Sequence, residues 1–102
     1  MESFNLGSDV YLEFTVKVDN KPASITNTTG ALYRNGEYVR DFTTRHVGGK
    51  VSGVIASDTF STIGDYMAKF DVFLAGMGKR EHAVPFKIIK SVLGKKRVVR
   101  EV

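Results

Sequence analysis

The residues of this chain whose types invite chemistry are two histidines, two glycine pairs, a set of tyrosines and one cationic segment. His46 and His82 could ligate a metal, but they stand 36 positions apart and neither has a second ligand at i+2 or i+4. Gly48-Gly49 and Gly76-Met77-Gly78 could cradle a phosphate, yet neither opens a helix with Lys-Ser or Lys-Thr behind it, and both read as turn glycines. Catalysis needs a nucleophile or an acid–base pair held at a fixed distance, and no segment offers that constellation with recognisable spacing. The expectation is a non-enzyme with no catalytic residue, no metal ligand and no cofactor. Tyr11, Tyr33 and Tyr38 could stack on sugars, which leaves a host surface glycan open as a ligand. The segment Lys95-Lys96-Arg97-Val98-Val99-Arg100 mixes cations with β-branched residues, a composition that can add as a strand to a neighbour's sheet edge.

Composition narrows the elements that must position these residues. At 102 residues the chain makes one domain with a single core, and its 42% hydrophobic and 25% charged content is that of an ordinary globular module. No apolar run approaches the roughly 18 residues needed to cross a bilayer, and Met1-Glu2-Ser3-Phe4-Asn5 is neither basic nor apolar enough for a leader, so no membrane partner and synthesis in the cytosol are expected. With no cysteine there is no disulfide framework and no thiolate chemistry. The net charge of +4 is concentrated: Lys95, Lys96, Arg97 and Arg100 against Glu101 supply +3 of it. Such a segment can bind phosphates, but a few Lys and Arg more often serve solubility or a protein contact, so nucleic acid is an unlikely partner.

The strongest pattern is strict alternation. Val10, Leu12, Phe14, Val16 and Val18 interleave with Tyr11, Glu13, Thr15, Lys17 and Asp19, the signature of a half-buried strand with one dry face. It returns at Tyr66, Ala68, Phe70, Val72 and Leu74, and at His82, Val84, Phe86 and Ile88. That places His82 inward, as a partly buried and hydrogen-bonded histidine, whereas His46 falls in a loop. Between these runs, Asp19-Asn20-Lys21-Pro22 reads as a turn, and Ala23 to Gly30, rich in Thr and Asn, as a loop or edge strand with Ile25 tucked inward. Arg34-Asn35-Gly36 predicts a type I′ hairpin, because both central residues accept positive φ. Val51 to Ile55 is a strand, Ser57 to Gly64 a loop plugged by Phe60 and Ile63, and Pro85 puts part of the last strand at an edge. Tyr66, opening its strand after Gly64-Asp65, resembles the corner tyrosine of Greek-key sandwiches. Met67 and Phe73 point away from Phe70, either as a contact surface or beneath covering loops. The expected fold is all-β, an immunoglobulin-like antiparallel β-sandwich of about seven strands with extended terminal arms. Its divisions are an arm over residues 1–8, in which Phe4 and Leu6 pack on the body or on a neighbour, a sandwich over 9–90 and a basic docking tail over 91–102.

Several of these stretches together resemble the phage immunoglobulin-like domain family typified by the N-terminal domain of siphophage upper baseplate proteins. They are Gly7-Ser8-Asp9-Val10-Tyr11-Leu12-Glu13-Phe14, the Asp-Asn-Lys-Pro turn, the Leu-Tyr-Arg-Asn-Gly hairpin, Ile63-Gly64-Asp65-Tyr66 and Val84-Pro85-Phe86-Lys87-Ile88. The resemblance covers roughly Gly7 to Lys90. It implies a non-enzymatic virion protein of a tailed phage: an auxiliary or decoration protein on the capsid surface, as in the crAss-like group, or an adaptor of the neck, tail or baseplate, or a head-fibre module. The implied partners are the major capsid protein, other virion subunits or further copies of the chain. Contacts would be made by Phe4 and Leu6 at one end and by Lys95, Lys96, Arg97, Val98, Val99 and Arg100 at the other.

Overall fold

The structure, a computed structural model, describes residues 1–90. Nine strands follow in order: β1 (Glu2–Asn5), β2 (Val10–Thr15), β3 (Lys17–Val18), β4 (Lys21–Pro22), β5 (Ile25–Arg34), β6 (Glu37–Val47), β7 (Lys50–Ile55), β8 (Gly64–Leu74) and β9 (Gly78–Ile89). A single 3₁₀ turn at Ser57–Thr59 is the one helical element among the described residues. Among these residues no helix is long and apolar enough to cross a membrane.

The expected all-β immunoglobulin-like sandwich is the observed architecture. Seven strands pair in the order β1-β9-β8-β5-β6-β7-β2, antiparallel throughout except that β1 runs parallel to the end of β9, with Glu2 opposite Phe86 and Asn5 opposite Ile89. β3 and β4 form a separate small hairpin. The long order folds over on itself at β6. Its first part, through Phe42, pairs with β5, and its last part, Thr43 to Val47, pairs with β7. One strand therefore belongs to two sheets: a five-stranded sheet β1-β9-β8-β5-β6 and a three-stranded sheet β6-β7-β2. Ring contacts prove that the two face each other, because Phe14 of β2 packs edge-on to Phe70 of β8 with centroids 4.9 Å apart, although the strands are not neighbours in either sheet.

The alternation read from the sequence sets which residues meet in that interior. Val10, Leu12 and Val16 from the first run are buried, as are Tyr66, Ala68, Phe70, Val72 and Leu74 from β8, and Phe86 and Ile88 from β9. Phe60 plugs the loop before β8 and packs against both Tyr66 and Phe86. Tyr66 is a corner tyrosine in fact: its hydroxyl donates to the Thr62 carbonyl at 2.9 Å. Asn35 and Gly36 both have positive φ, 52° and 82°, as the I′ hairpin requires.

Three expectations change and a fourth narrows. The run Val10 to Asp19 is not one strand: at Val16 the backbone leaves β7, its N–H bonding Gly49 and its carbonyl accepting from Ala23, and β3 starts afresh. Of the two readings of Ala23 to Gly30, the loop is overturned and the edge strand holds: Ile25–Arg34 forms β5, which pairs with β8 alone up to Thr29 and gains β6 as a second neighbour only from Gly30 onward. Its Thr and Asn residues suit a strand whose outer face is wet and whose inward positions, Thr28 and Gly30, are small. Ile63 is not a plug but 51% exposed, the interior space being taken by Phe60. His46 lies in β6, opposite Val51, and not in a loop. The edge position inferred from Pro85 holds, because β1 covers β9 only from Phe86 onward.

Candidate functional site

The sheet switch is the feature from which the surface is built. When β6 leaves β5 after Phe42, the Phe42 ring turns into the fold and lies across two glycines. A Cβ at Gly53 would sit 2.6 Å from Phe42 Cε1 and 2.9 Å from Phe70 Cε2, and a Cβ at Gly30 would meet the same Phe42 ring, so neither position has room for a side chain. Phe42 and Phe70 are themselves edge-to-face at 5.2 Å. These glycines serve close packing.

On the outside, the departure of β6 opens a fork. β5 pairs with β6 only from Gly30 onward, so Thr28 and Thr29 face a strand that has already turned away. The fork is tied at its base by two hydroxyls: Thr44 donates to the Thr28 carbonyl at 3.1 Å, which leaves the Thr28 hydroxyl to donate to Thr44 Oγ1 at 2.8 Å. Above this tie lies an open notch of about 530 Å³. It is lined by the small residues Thr29, Gly30 and Ala31, by Tyr33, Tyr38 and Asp41 of β5 and β6, and by Lys69, Asp71 and Glu81 of β8 and β9, with the Lys69 ammonium reaching across to the Tyr33 ring.

The tyrosine pair is held in place. Tyr38 is 57% exposed, packs edge-on to Tyr33 at 5.9 Å and donates to Asp41 Oδ1 at 3.0 Å. The acceptor carboxylate holds the Tyr38 phenol above its ordinary pKa, since deprotonation would lose the bond and place two anions side by side. The Lys69 ammonium lies over the Tyr33 ring, 4.5 Å from its centroid, a cation–π contact. Asp71 pairs loosely with Lys79 at 3.8 Å, an exposed ion pair of little energetic weight.

The sequence-selected residues distribute as follows. Tyr33 and Tyr38 come together at the notch, and Tyr11 does not join them: it stands on the three-stranded sheet, donating to Glu13 at 2.6 Å beside Lys50, which also reaches Glu13 at 3.3 Å. His46 and His82 are not brought together. His82 is exposed, contrary to the buried and hydrogen-bonded role expected of it, because the first half of β9 has no second neighbour among the described strands; its ring tilts over Phe14 at 4.2 Å. Among the described residues no group of three or more His, Cys, Asp or Glu side chains could hold a metal ion. Gly48-Gly49, with φ of 56° and 87°, makes the β6–β7 turn, and Gly76 and Gly78 the β8–β9 turn. Met67 and Phe73 are half-buried on the outer face of β8. Phe4 and Leu6 are spent partly on the protein's own body: Phe4 lies in β1 with its ring edge-on to Phe86 at 5.8 Å, and the Leu6 N–H bonds the Ile89 carbonyl at 2.8 Å. Lys95, Lys96, Arg97, Val98, Val99 and Arg100 lie outside the described residues. The notch itself was missed in the sequence. Its only local signal is the small inward pair Thr28 and Gly30 in a strand otherwise large at alternate positions, and which strand leaves the sheet depends on long-range register.

No protein-family model matches the chain, and no curated protein matches it. Among solved structures it is similar to the twitchin kinase region from C. elegans (Fn31-NL-kin-CRD-Ig26), with a TM-score of 0.50 and 11% identity. The alignment covers 85% of this chain and 14% of that one, a likeness of fold alone.

Proposed function

We propose that this chain is a non-enzymatic structural protein of a tailed bacteriophage virion, an auxiliary or decoration protein that docks on major capsid subunits and stabilises the shell. The observation that carries the reading is a sandwich that builds its described core between Phe4 and Ile88 and in which, among the described residues, no strand pairs with the outer edge of β2 or with Gly78–Pro85 of β9 on the side away from β8. A free edge is a template for strand addition, which joins β domains through main-chain hydrogen bonds without a dedicated pocket. The segment 95–100 has the cationic and β-branched composition that can add as a strand to a partner's edge. The resemblance to phage immunoglobulin-like domains supports placing this joint in a virion. The same physics serves a neck, tail or baseplate adaptor, and location in the particle separates the two.

The test is co-sedimentation of the purified protein with capsid shells that lack it, beside a form with residues 95–102 deleted. Stoichiometric binding by the full chain, reduced at least tenfold by the deletion while the circular dichroism spectrum stays that of a β-sandwich, is the expected result. Failure of the full chain to bind shells rejects the capsid assignment, and equal binding by both forms rejects the tail as the attachment.

A further inference from the structure

The notch at the β5–β6 fork is built for a ligand that docking by sheet edges and termini leaves out of account. We infer that it is a binding site for a neutral saccharide, with Tyr38 as the stacking platform. Four observations converge on that class. First, a flat sheet face has a depression here only because Thr29, Gly30 and Ala31 are small and β6 has turned away, and its volume of about 530 Å³ lies within the range of small-ligand sites. Second, the Tyr38 ring is exposed and already fixed, by Tyr33 at its edge and by its hydroxyl bond to Asp41, so a ligand stacking on it costs little side-chain ordering. Third, the walls carry both kinds of hydrogen-bonding group: carboxylates of Asp41, Asp71 and Glu81 as acceptors, the Lys69 ammonium as donor, and threonine hydroxyls as either. Fourth, those charges disfavour two classes: an anion meets three carboxylates against one ammonium, and an apolar ligand leaves all of them desolvated and unpaired.

A sugar ring satisfies these conditions together. It offers an apolar C–H face to an aromatic ring and hydroxyls that donate to carboxylates and accept from an ammonium. The site is open, so affinity per copy is weak, with a Kd on the order of 1 mM. On the capsid role proposed above, which places many copies on one shell, such weak single contacts add up to firm attachment, because linked sites bind at high effective concentration.

The experiment is a nuclear magnetic resonance titration of the isotopically labelled full chain with maltotriose, cellotriose, mannotriose, xylotriose and chitotriose in turn. At least one of these is expected to shift the backbone amides of residues 29–33, 38–42, 69–71 and 81 together, saturating near ~1 mM. Tyr38→Ala should weaken that binding at least tenfold. Tyr38→Phe, which keeps the ring, should retain most of it, and Tyr11→Ala should change nothing. The spectra of the variants report their folding directly. The proposal is overturned if no sugar in the panel moves these amides at concentrations roughly tenfold above ~1 mM, or if Tyr38→Ala binds as well as the parent. Trilysine moving the same amides while the sugars do not would equally overturn it, and would assign the notch to a basic peptide.

Discussion

The two sheets of this sandwich are built on different economies of side chain. The five-stranded sheet has β8 at its centre, paired over its full length with β9 on one side and for most of it with β5 on the other, and it supplies the large interior groups Phe70, Phe86 and Tyr66. The three-stranded sheet is narrow, with β2 and the last part of β6 each paired on one side only among the described residues, and at its centre it places Gly53 where a side chain would be expected. The difference teaches how one strand can serve both sheets. Phe42 turns inward at the switch because Gly30 on one sheet and Gly53 on the other make room for it, and Phe70 closes the gap between them. The joint packs Phe42 and Phe70 together on its inner side, and the notch lies on its outer side.

Removing the ring that both sheets share is the most damaging change. Phe70 is fully buried and touches Phe14 of the small sheet and Phe42 at the switch. Phe70→Ala is expected to lower unfolding stability by ~3–5 kcal/mol, through lost apolar burial and a cavity that the two sheets cannot close. Chemical denaturation with the same slope and a shifted midpoint would register it. A loss below about 1 kcal/mol would mean that the sheets repack without Phe70 and that the joint is not where we place it.

A subtler change attacks only the small sheet. Gly53→Ala adds one methyl at a position where a Cβ would crowd Phe42 and Phe70 below 3.0 Å. Overpacking of this kind costs ~1–3 kcal/mol. The same substitution at Gly36, where a Cβ meets nothing within 4 Å, probes something else, the φ of +82° in the β5–β6 turn. Combining Gly53→Ala with Phe42→Leu should recover part of the loss, because the smaller side chain vacates the space. If the double variant is no more stable than the sum of the two single effects, the crowding is not between these two residues.

How far this was readable from residues alone follows the same division. Alternation at Val10–Val18 and Tyr66–Leu74 identified the interior faces of one strand from each sheet, because each run has a dry side and a wet side. The Asn35-Gly36 turn was readable because its φ values demand those residues, and Tyr66 because its hydroxyl bonds only four residues back. β5 was readable only in part. The hairpin at Asn35-Gly36 implies a strand over its last residues, but its earlier half, with Asn27 and Thr29 outside and Thr28 and Gly30 inside, carries no hydrophobic period, and its inward smallness makes sense only against the Phe42 ring, twelve residues beyond Gly30 and turned inward by a change of sheet. His82 failed for a related reason: period placed it inward, but only pairing shows that no described strand covers that half of β9.

The smallest expected effect gives the finest comparison of the two outer faces, since each carries a tyrosine bonded to a carboxylate. Tyr38 donates to Asp41 on the large sheet and Tyr11 to Glu13 on the small one, and in both the bond raises the phenol above its ordinary pKa. On the small sheet the pairing also works in the other direction: Tyr11 and then Lys50 hold Glu13 below the usual carboxylate range. The signs differ accordingly. A raised phenol contributes stability that is present below its unfolded value and is lost as pH rises through the folded one; a lowered carboxylate contributes stability that is present above its unfolded value and is lost as pH falls through the folded one. The Tyr38 phenol thus makes the large sheet's pair sensitive to alkali, and the small sheet's pair is sensitive to both extremes. Site-resolved titration of the two phenols by nuclear magnetic resonance should show Asp41→Asn lowering the Tyr38 midpoint while Tyr11 keeps its own, and Glu13→Gln doing the reverse. Movement of both midpoints in either variant would mean that the two faces communicate through the shared strand β6, and that the outer surfaces are not the independent platforms their separate hydrogen bonds describe.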